Sequence, residues 1–411
     1  MALSGEEKVN LKEELAAIRA AQTRLAGVIS TTRLLYSRAY SEEAGNSVYL
    51  KPENLQATGS FKIRGAYNKI AQIAADGKKK GLIAASAGNH AQGVAYAAQT
   101  LGAKATIVMP KRTPLIKVEA TRGYGAGVIL AGDDYDEAYE VARNLEDERG
   151  YIFIHPFNDW DIIAGQGTIG LEIIAERPDA DYILVPVGGG GLISGIAVAA
   201  KALRPAIKII GIEPEGASSM QMSLRAGAPT RLERMDTIAD GVAVRKPGEI
   251  PFSIVRQLAD EIITVPDSEL TDAFLLLLER HKLLAESSGL LPLAALSRLP
   301  AAGKKVVCVI SGGNIDVMTM AAMLRLGLAN RGRMFCFSVE LRDIPGELLK
   351  ISHLLAGQNA NILKIDHDQF KALDRFRKVR VEVTVETNGA DHVQQISAIL
   401  RQEGYEAVKV Y

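Results

Sequence analysis

Cysteine is nearly absent from this sequence: only Cys308 and Cys336 occur. Two cysteines give neither a disulfide framework nor a thiolate metal site. Aromatic residues are also scarce, at 5% of the chain, and there is no excess of charge of either sign, because 48 basic side chains cancel 48 acidic ones. That balance lacks the electrostatic footprint of a nucleic-acid or anionic-membrane partner. No apolar stretch of membrane-span length is free of charge. The first residues, with Glu6, Glu7 and Lys8 ahead of Lys12, Glu13 and Glu14, lack the basic-then-apolar order of a signal peptide. A cytoplasmic protein with a small-molecule ligand is the expectation these absences leave.

Glycine, by contrast, is plentiful, with 38 in 411 residues, which suits an α/β enzyme with many tight strand-to-helix turns. Helical spacing of Leu11, Leu15, Ile18 and Leu25 predicts an amphipathic helix over 5–28. Short apolar runs at 48–51, 82–85, 105–109, 127–130, 183–187, 208–212, 262–265 and 306–310 read as strands. Helical segments at 66–71, 91–101 and 192–203 fall between them. Strand alternating with helix argues a parallel sheet covered on both faces. Near Asn330-Arg331-Gly332-Arg333 the character changes. Phe335, Phe337, Val339 and Leu341 then alternate with polar residues at period two, and Pro345 suits the first turn of a helix carrying Leu348, Ile351 and Leu355. Strands at 362–366, 379–385 and 406–410 and a helix over 389–402 complete a βαββαβ order, that of a ferredoxin-like sandwich. The expected domains are 1–325, with a small subdomain over about 55–155 inserted in a larger one, a linker at 326–333, and a second module at 334–411.

The stretch Ser60-Phe61-Lys62-Ile63-Arg64-Gly65-Ala66 sets one lysine between an aromatic and small residues. A partly buried lysine loses its proton more easily and then attacks carbonyl carbon as a neutral amine, forming a Schiff base; on a loop-to-helix junction the same residue is equally a surface lysine. Gly188-Gly189-Gly190-Gly191 lies between a buried strand and a helix, where converging backbone N–H groups make an anion site, unless the four are simply a flexible turn. The run lacks both the P-loop lysine and the GxGxxG spacing. Ser86-Ala87-Gly88-Asn89 and Ser311 stand at carboxyl ends of strands, where ligands gather in open α/β sheets; alone, they are a helix N-cap and a turn residue. His90 is a lone histidine, more often structural than catalytic. A lysine, a phosphate cradle and polar groups at strand ends together suggest an aldehyde cofactor bearing a phosphate.

Those four motifs, with Ser311 read as Ser311-Gly312-Gly313-Asn314 and Ser86–Asn89 extended to His90, resemble in order the fold-type-II pyridoxal-phosphate enzymes, and among them the threonine ammonia-lyases (threonine dehydratases). The resemblance covers residues 1 to about 325. The tail, with Asp343-Ile344-Pro345-Gly346-Glu347 and Asn361-Ile362-Leu363, resembles an ACT regulatory domain. The fold implied is a two-subdomain, tryptophan synthase β-like α/β core followed by a ferredoxin-like ACT domain. The cofactor implied is pyridoxal 5'-phosphate. By resemblance, Lys62 holds its aldehyde and removes the substrate Cα proton, and Phe61 packs on the pyridine ring. Asn89 bonds the 3-hydroxyl, the amides of Gly188 to Gly191 bind the phosphate, and Ser311 meets the ring nitrogen. Ser86, Ala87, Gly88 and Asn89 receive the substrate.

The activity implied is deamination of L-threonine to 2-oxobutanoate and ammonia, with a place in isoleucine biosynthesis. Isoleucine or valine is the effector expected at the ACT domain, and the assembly implied is a homo-oligomer, a dimer or tetramer. Serine racemases resemble this core but carry a second serine where Ala87 stands, so elimination is expected rather than racemisation. Their cation site uses acidic residues after a Glu-Pro pair; here Glu213-Pro214 is followed by Glu215, but Ser219 stands where a further carboxylate is expected, so Glu213 either helps hold a cation through its oxygens or is a solvated loop carboxylate, and no metal is expected. Alternatives are an L-serine dehydratase or serine racemase-like enzyme, and a catalytically silent amino-acid-binding regulator.

Overall fold

The structure, a computed structural model, describes residues 8–299, 302–367 and 378–411. The chain divides into two compact units, residues 1–273 with 280–316, and residues 274–279 with 317–411.

The first unit holds two sheets. The larger has six strands in the order Leu35–Tyr36, Ser47–Pro52, Lys305–Ile310, Tyr182–Pro186, Lys208–Pro214, Glu261–Val265. It is parallel except for the first pair. Its central strand, Lys305–Ile310, is buried at every residue after the first. Val307 and Val309 face a cluster with Ile183, Val185 and Ile193, and the β-branched run fits a strand covered on both faces. The smaller sheet, within the 55–155 segment, orders Gly127–Leu130, Ala105–Met109, Leu82–Ala85 and Ile152–Phe153, all parallel. Three of these strands begin and end at the residues expected from the apolar runs, Tyr182–Pro186 and Lys305–Ile310 fall within two residues of theirs, and Ile152–Phe153 was not expected.

The first helix is Leu11–Leu25, shorter than the 5–28 expected. It starts where Asn10 accepts the Glu13 amide and stops at Ala26; residues 5–7 lie outside the described residues. Helix Lys62–Gln72 begins four residues earlier than the apolar pattern suggested. It packs backbone to backbone on helix Trp160–Glu176, because a Cβ added at Gly165 would lie 2.6 Å from the Gly65 Cα. Asp159 fixes the start of that second helix by accepting from the amides of Asp161 and Ile162, satisfying donors a helix N-terminus leaves unpaired. Lys62 is thereby held at the head of a helix that has little room to shift.

In the second unit, helix Val317–Asn330 is followed by strand Met334–Arg342, helix Glu347–Gly357, strands Asn361–His367 and Lys378–Glu386, helix Ala390–Gln402 and the short strand Val408–Lys409. The four strands form one antiparallel sheet in the order 361–367, 378–386, 334–342, 408–409, the ferredoxin-like arrangement. Phe337, Val339, Ile351, Leu355, Val381 and Val383 lie in its core. Two boundaries differ from expectation. Residues 326–330 are not linker but the last turns of the helix from Val317, whose Met-Ala-Leu-rich sequence carries the helix past Gly327, which is buried. Pro345 precedes rather than starts its helix, whose N-cap is Gly346 at φ +95°. Among the described residues, no helix is long and apolar enough to cross a membrane.

Candidate active site

Because Lys305–Ile310 and Tyr182–Pro186 are adjacent and parallel, their carboxyl ends deliver Ser311–Asn314 and Gly188–Gly191 to the same edge of the sheet. The lysine segment is laced to the first of these turns: the Phe61 amide donates to the Ser311 carbonyl at 3.0 Å and the Gly313 amide to the Gly59 carbonyl at 2.9 Å. Ser60 and Gly312 form a β-bridge. The smaller sheet contributes Ser86–Asn89 from the end of Leu82–Ala85. The site is thus the place where the carboxyl edges of two parallel sheets meet, the general position of ligands in open α/β folds.

Lys62 is half-buried, and its Nζ donates to the Pro156 carbonyl at 3.1 Å and sits 5.2 Å from the Phe61 ring centroid. Burial pushes its ammonium down to about 8, while the Glu286 charge pulls the other way. A neutral, nucleophilic amine is therefore accessible near physiological pH; the surface-lysine alternative is excluded. Phe61 is 9% exposed and joins the core cluster with Ile169, Val187 and Val309.

Helix Gly191–Leu203 starts from Gly190, at φ +91° and without a side-chain cap. Among the described residues the amides of Gly188, Gly189 and Gly190 find no hydrogen-bond acceptor. Side chains are excluded here: a Cβ on Gly189 would stand 2.3 Å from the Phe157 ring and one on Gly188 2.9 Å from Val242. Unpartnered amides at a helix N-terminus, walled so closely that only glycine fits, match a bound phosphate. Ser60 Oγ, on the segment bridged to Gly312, and Ser288 Oγ, near Gly241, are buried and also lack partners among the described residues. The residues present fit pyridoxal phosphate.

Asn89 is half-buried and begins helix Asn89–Thr100. The N-cap is Gly88, so the segment does start the helix, though without a side-chain cap; Ser86 Oγ accepts from the Gly88 amide at 3.2 Å. Asn89 Nδ2 donates to Glu286 at 2.7 Å and its Oδ1 accepts from Asn314 at 2.8 Å. Ser311 is 3% exposed at the neighbouring strand end. Lys62, Asn89, Ser311 and the glycine run thus lie around one crevice, with Ser86, Ala87 and Gly88 on its smaller-sheet side.

His90 does not join them chemically. It is buried with Nε2 donating to the Ile154 carbonyl at 2.8 Å, and burial, with the Lys62 charge adding to it, pushes it down to about 3, so it stays neutral. Glu213 is fully buried rather than a solvated loop carboxylate. Its two oxygens accept the amides of Met220 and Gln221, each at 2.8 Å, and burial pushes it up to about 7. No group of three or more metal-ligating side chains occurs among the described residues.

Two contributors escaped sequence reasoning. Glu286 is 6% exposed and pushed up to about 7 by burial and by Asp240, against Asn89, Lys117 and Lys62. Its one visible signal is an acid set among small residues, Ala285-Glu286-Ser287-Ser288-Gly289. Behind the lysine lies a buried ionic cluster of Lys51, Glu53, Arg64 and Glu172. Of these Arg64 alone stood in a singled-out motif.

A sequence profile described as "Pyridoxal-phosphate dependent enzyme" matches residues 25–312. The L-threonine ammonia-lyase of Thermotoga maritima is 48% identical over 390 residues, covering 95% of this chain and 97% of that one. Among solved structures, the processed form of threonine deaminase isoform 2 from Solanum lycopersicum superposes with a TM-score of 0.75 at 38% identity, over 79% of this chain and 90% of that one. Maize serine racemase superposes with a TM-score of 0.72 at 36% identity, over 77% and 98%.

Proposed function

The chain belongs to the pyridoxal-phosphate-dependent enzymes, and from that premise we propose that it is an L-threonine ammonia-lyase, converting L-threonine to 2-oxobutanoate and ammonia by α,β-elimination. The observation that carries the reading is Lys62, a buried-edge amine held down to about 8 beside a run of unpartnered glycine amides.

When bound, pyridoxal phosphate supplies the electron sink that makes the substrate Cα–H acidic. Lys62 Nζ is the amine that holds the cofactor's aldehyde and, once released, takes the Cα proton. The amides of Gly188 to Gly191 hold the phosphate. The Asn89 amide meets the 3-hydroxyl and Phe61 the ring. Ser311 Oγ would face the ring nitrogen, where a neutral hydroxyl would stabilise positive charge less than a carboxylate. Ser86, Ala87 and Gly88 receive the substrate carboxylate. Ala87 offers no hydroxyl to act on the opposite substrate face, which favours elimination over the racemase alternative.

The ferredoxin-like tail is an ACT module on this reading, and isoleucine or valine is its ligand, bound at the Asp343–Gly346 turn. That turn is exposed, with Ile344 54% accessible. The enzyme is a cytoplasmic homo-oligomer, dimer or tetramer. The deciding assay is ketoacid formation from L-threonine and L-serine by the purified holoprotein. A higher kcat/KM for threonine is expected, a preference for serine would replace the substrate, and no ketoacid from either would favour a silent regulator.

A further inference from the structure

A chain of hydrogen bonds fixes which way the Asn89 amide faces. It begins at the Thr58 carbonyl, which can only accept. Asn314 Nδ2 donates to it at 2.9 Å and to Asn89 Oδ1 at 2.8 Å. Asn89 must therefore turn its oxygen to Asn314 and its Nδ2 to Glu286, whose Oε1 accepts at 2.7 Å. Because the Thr58 carbonyl can only accept, that end of the chain alone fixes the orientation, and Glu286 takes the N–H that Asn89 then presents. Among the described residues, one N–H of Asn89 Nδ2 remains uncommitted.

Glu286 is placed for this and not for a local purpose. It is the N-cap residue of helix Ser287–Ala294, yet its side chain makes no cap hydrogen bond. It turns instead into the crevice, where two glycine backbones make room for it. A Cβ on Gly312 would stand 2.5 Å from Oε1 and one on Gly241 3.3 Å from it. The Glu286 amide is tied to the Gly312 carbonyl at 3.0 Å, so the carboxylate moves with the Ser311 turn. Asp240, Lys117 and Lys62 are the charged groups that act on it.

We propose that Glu286 is a positioning residue for the cofactor, acting through Asn89: its carboxylate holds the amide so that the free N–H of Nδ2 is presented to the 3-hydroxyl of pyridoxal phosphate. The inference rests on the reading of Asn89 given above. Reach and acceptor capacity define the role. A glutamine in this place still accepts from Asn89, whereas an aspartate keeps the charge but falls one methylene short.

The test is equilibrium binding of pyridoxal phosphate to the full-length apoprotein, followed by the visible band of the bound cofactor, for wild type, Glu286→Gln, Glu286→Asp, Glu286→Ala and Asn89→Ala. Losing a hydrogen bond to a charged group leads us to expect a Kd raised about tenfold in Glu286→Asp and Glu286→Ala, and Glu286→Gln within about threefold of wild type. In an Asn89→Ala background, Glu286→Asp should add less than about twofold, because the two residues act as one unit. Wild-type affinity in Glu286→Asp, or full multiplication of the two single effects in the double variant, would overturn the proposal. Should wild type itself form no borohydride-reducible adduct on Lys62, the functional reading fails instead, and the two failures are told apart by that control.

Discussion

Arg64 and Glu53 form a two-pronged ion pair with neither side chain exposed: Nε donates to one carboxylate oxygen at 2.7 Å and Nη2 to the other at 2.8 Å. Glu172 takes the guanidinium's other edge at 2.6 and 2.9 Å and also accepts from Lys51. Two cations and two anions thus cancel inside the protein, two residues along the chain from the lysine that does the chemistry. Planar fork geometry suits arginine to this place as lysine would not.

Removing one partner from such a pair strands the other. Glu53→Gln should cost about 3–5 kcal/mol of apoprotein stability, read as a lowered urea midpoint. The pH dependence has a defined sign. Burial works against the Glu53 charge, but Arg64 and Lys51 overcome it and hold the carboxyl below its ordinary value. Its contribution is therefore complete above the unfolded carboxyl's value, about 4.3, and is lost as pH falls through the lower folded one. Wild type should lose stability in that acid window more steeply than Glu53→Gln, and parallel curves would count against the assignment.

Lys62 makes a kinetic prediction. Only its neutral amine attacks the aldehyde, so the rate at which apoprotein captures pyridoxal phosphate should climb with pH through about 8, the value to which burial lowers it. Lys62→Ala should yield no borohydride-fixed adduct and no ketoacid while melting close to wild type. Stopped-flow absorbance and mass spectrometry of the reduced protein check both. A capture rate that climbs only near the ordinary lysine value, about 10.4, would remove burial as the cause.

The glycine run offers a steric test. Gly189→Ala puts a methyl 2.3 Å from the Phe157 ring. Overpacking of this kind costs about 1–3 kcal/mol, and displacement of the amides should weaken cofactor binding by more than about tenfold. Gly123→Ala is the contrast: it ends helix Leu115–Gly123 with nothing within 4 Å of the new methyl, and should be neutral or slightly stabilising. Equal behaviour of the two variants in cofactor titration would show that crowding at Gly189 is unimportant.

For the tail, threonine turnover by the full chain should respond to isoleucine or valine. Gly346→Val should abolish the response while leaving basal turnover within about twofold, because Gly346 sits at φ +95°, a conformation β-branched side chains avoid. Initial rates with and without each amino acid measure it. A response that persists in the variant would move the effector site elsewhere, since a ligand shifts an equilibrium only through the state it prefers.

The longer strands of the first unit were legible because buried parallel strands are continuous apolar runs that end at glycine or proline, as at Met109-Pro110 and Val187-Gly188; Leu35–Tyr36 and Ile152–Phe153, two residues each, were too short to show such a run. The lysine, the glycine run and the strand-end polar groups were legible because their chemistry depends on residue type. Glu286 was not, since its function lies in facing Asn89 from a segment about 200 positions away, and a lone acid carries no period or spacing. The linker was placed too early because Gly327 and the polar Asn330 to Arg333 read as a break, while the helix continues through Leu324, Leu326 and Leu328 with Gly327 buried. Of the two readings left open for Glu213, the solvated one fails; sequence did not decide it, because a carboxylate that accepts two amides in the interior looks, in sequence, like any loop acid.

The seat of strand Lys305–Ile310, between Ser47–Pro52 and Tyr182–Pro186, has a consequence for biogenesis. On the ribosome the strand at Ser47 emerges early and waits, its inner edge unmatched, until nearly the whole first unit has been translated. The wedge that then slides into the middle of the sheet also brings Ser311 to Asn314, so the vitamin's berth is finished in the same event that seals the sheet. Such long-range closure is slow and exposes an open edge to neighbouring nascent chains.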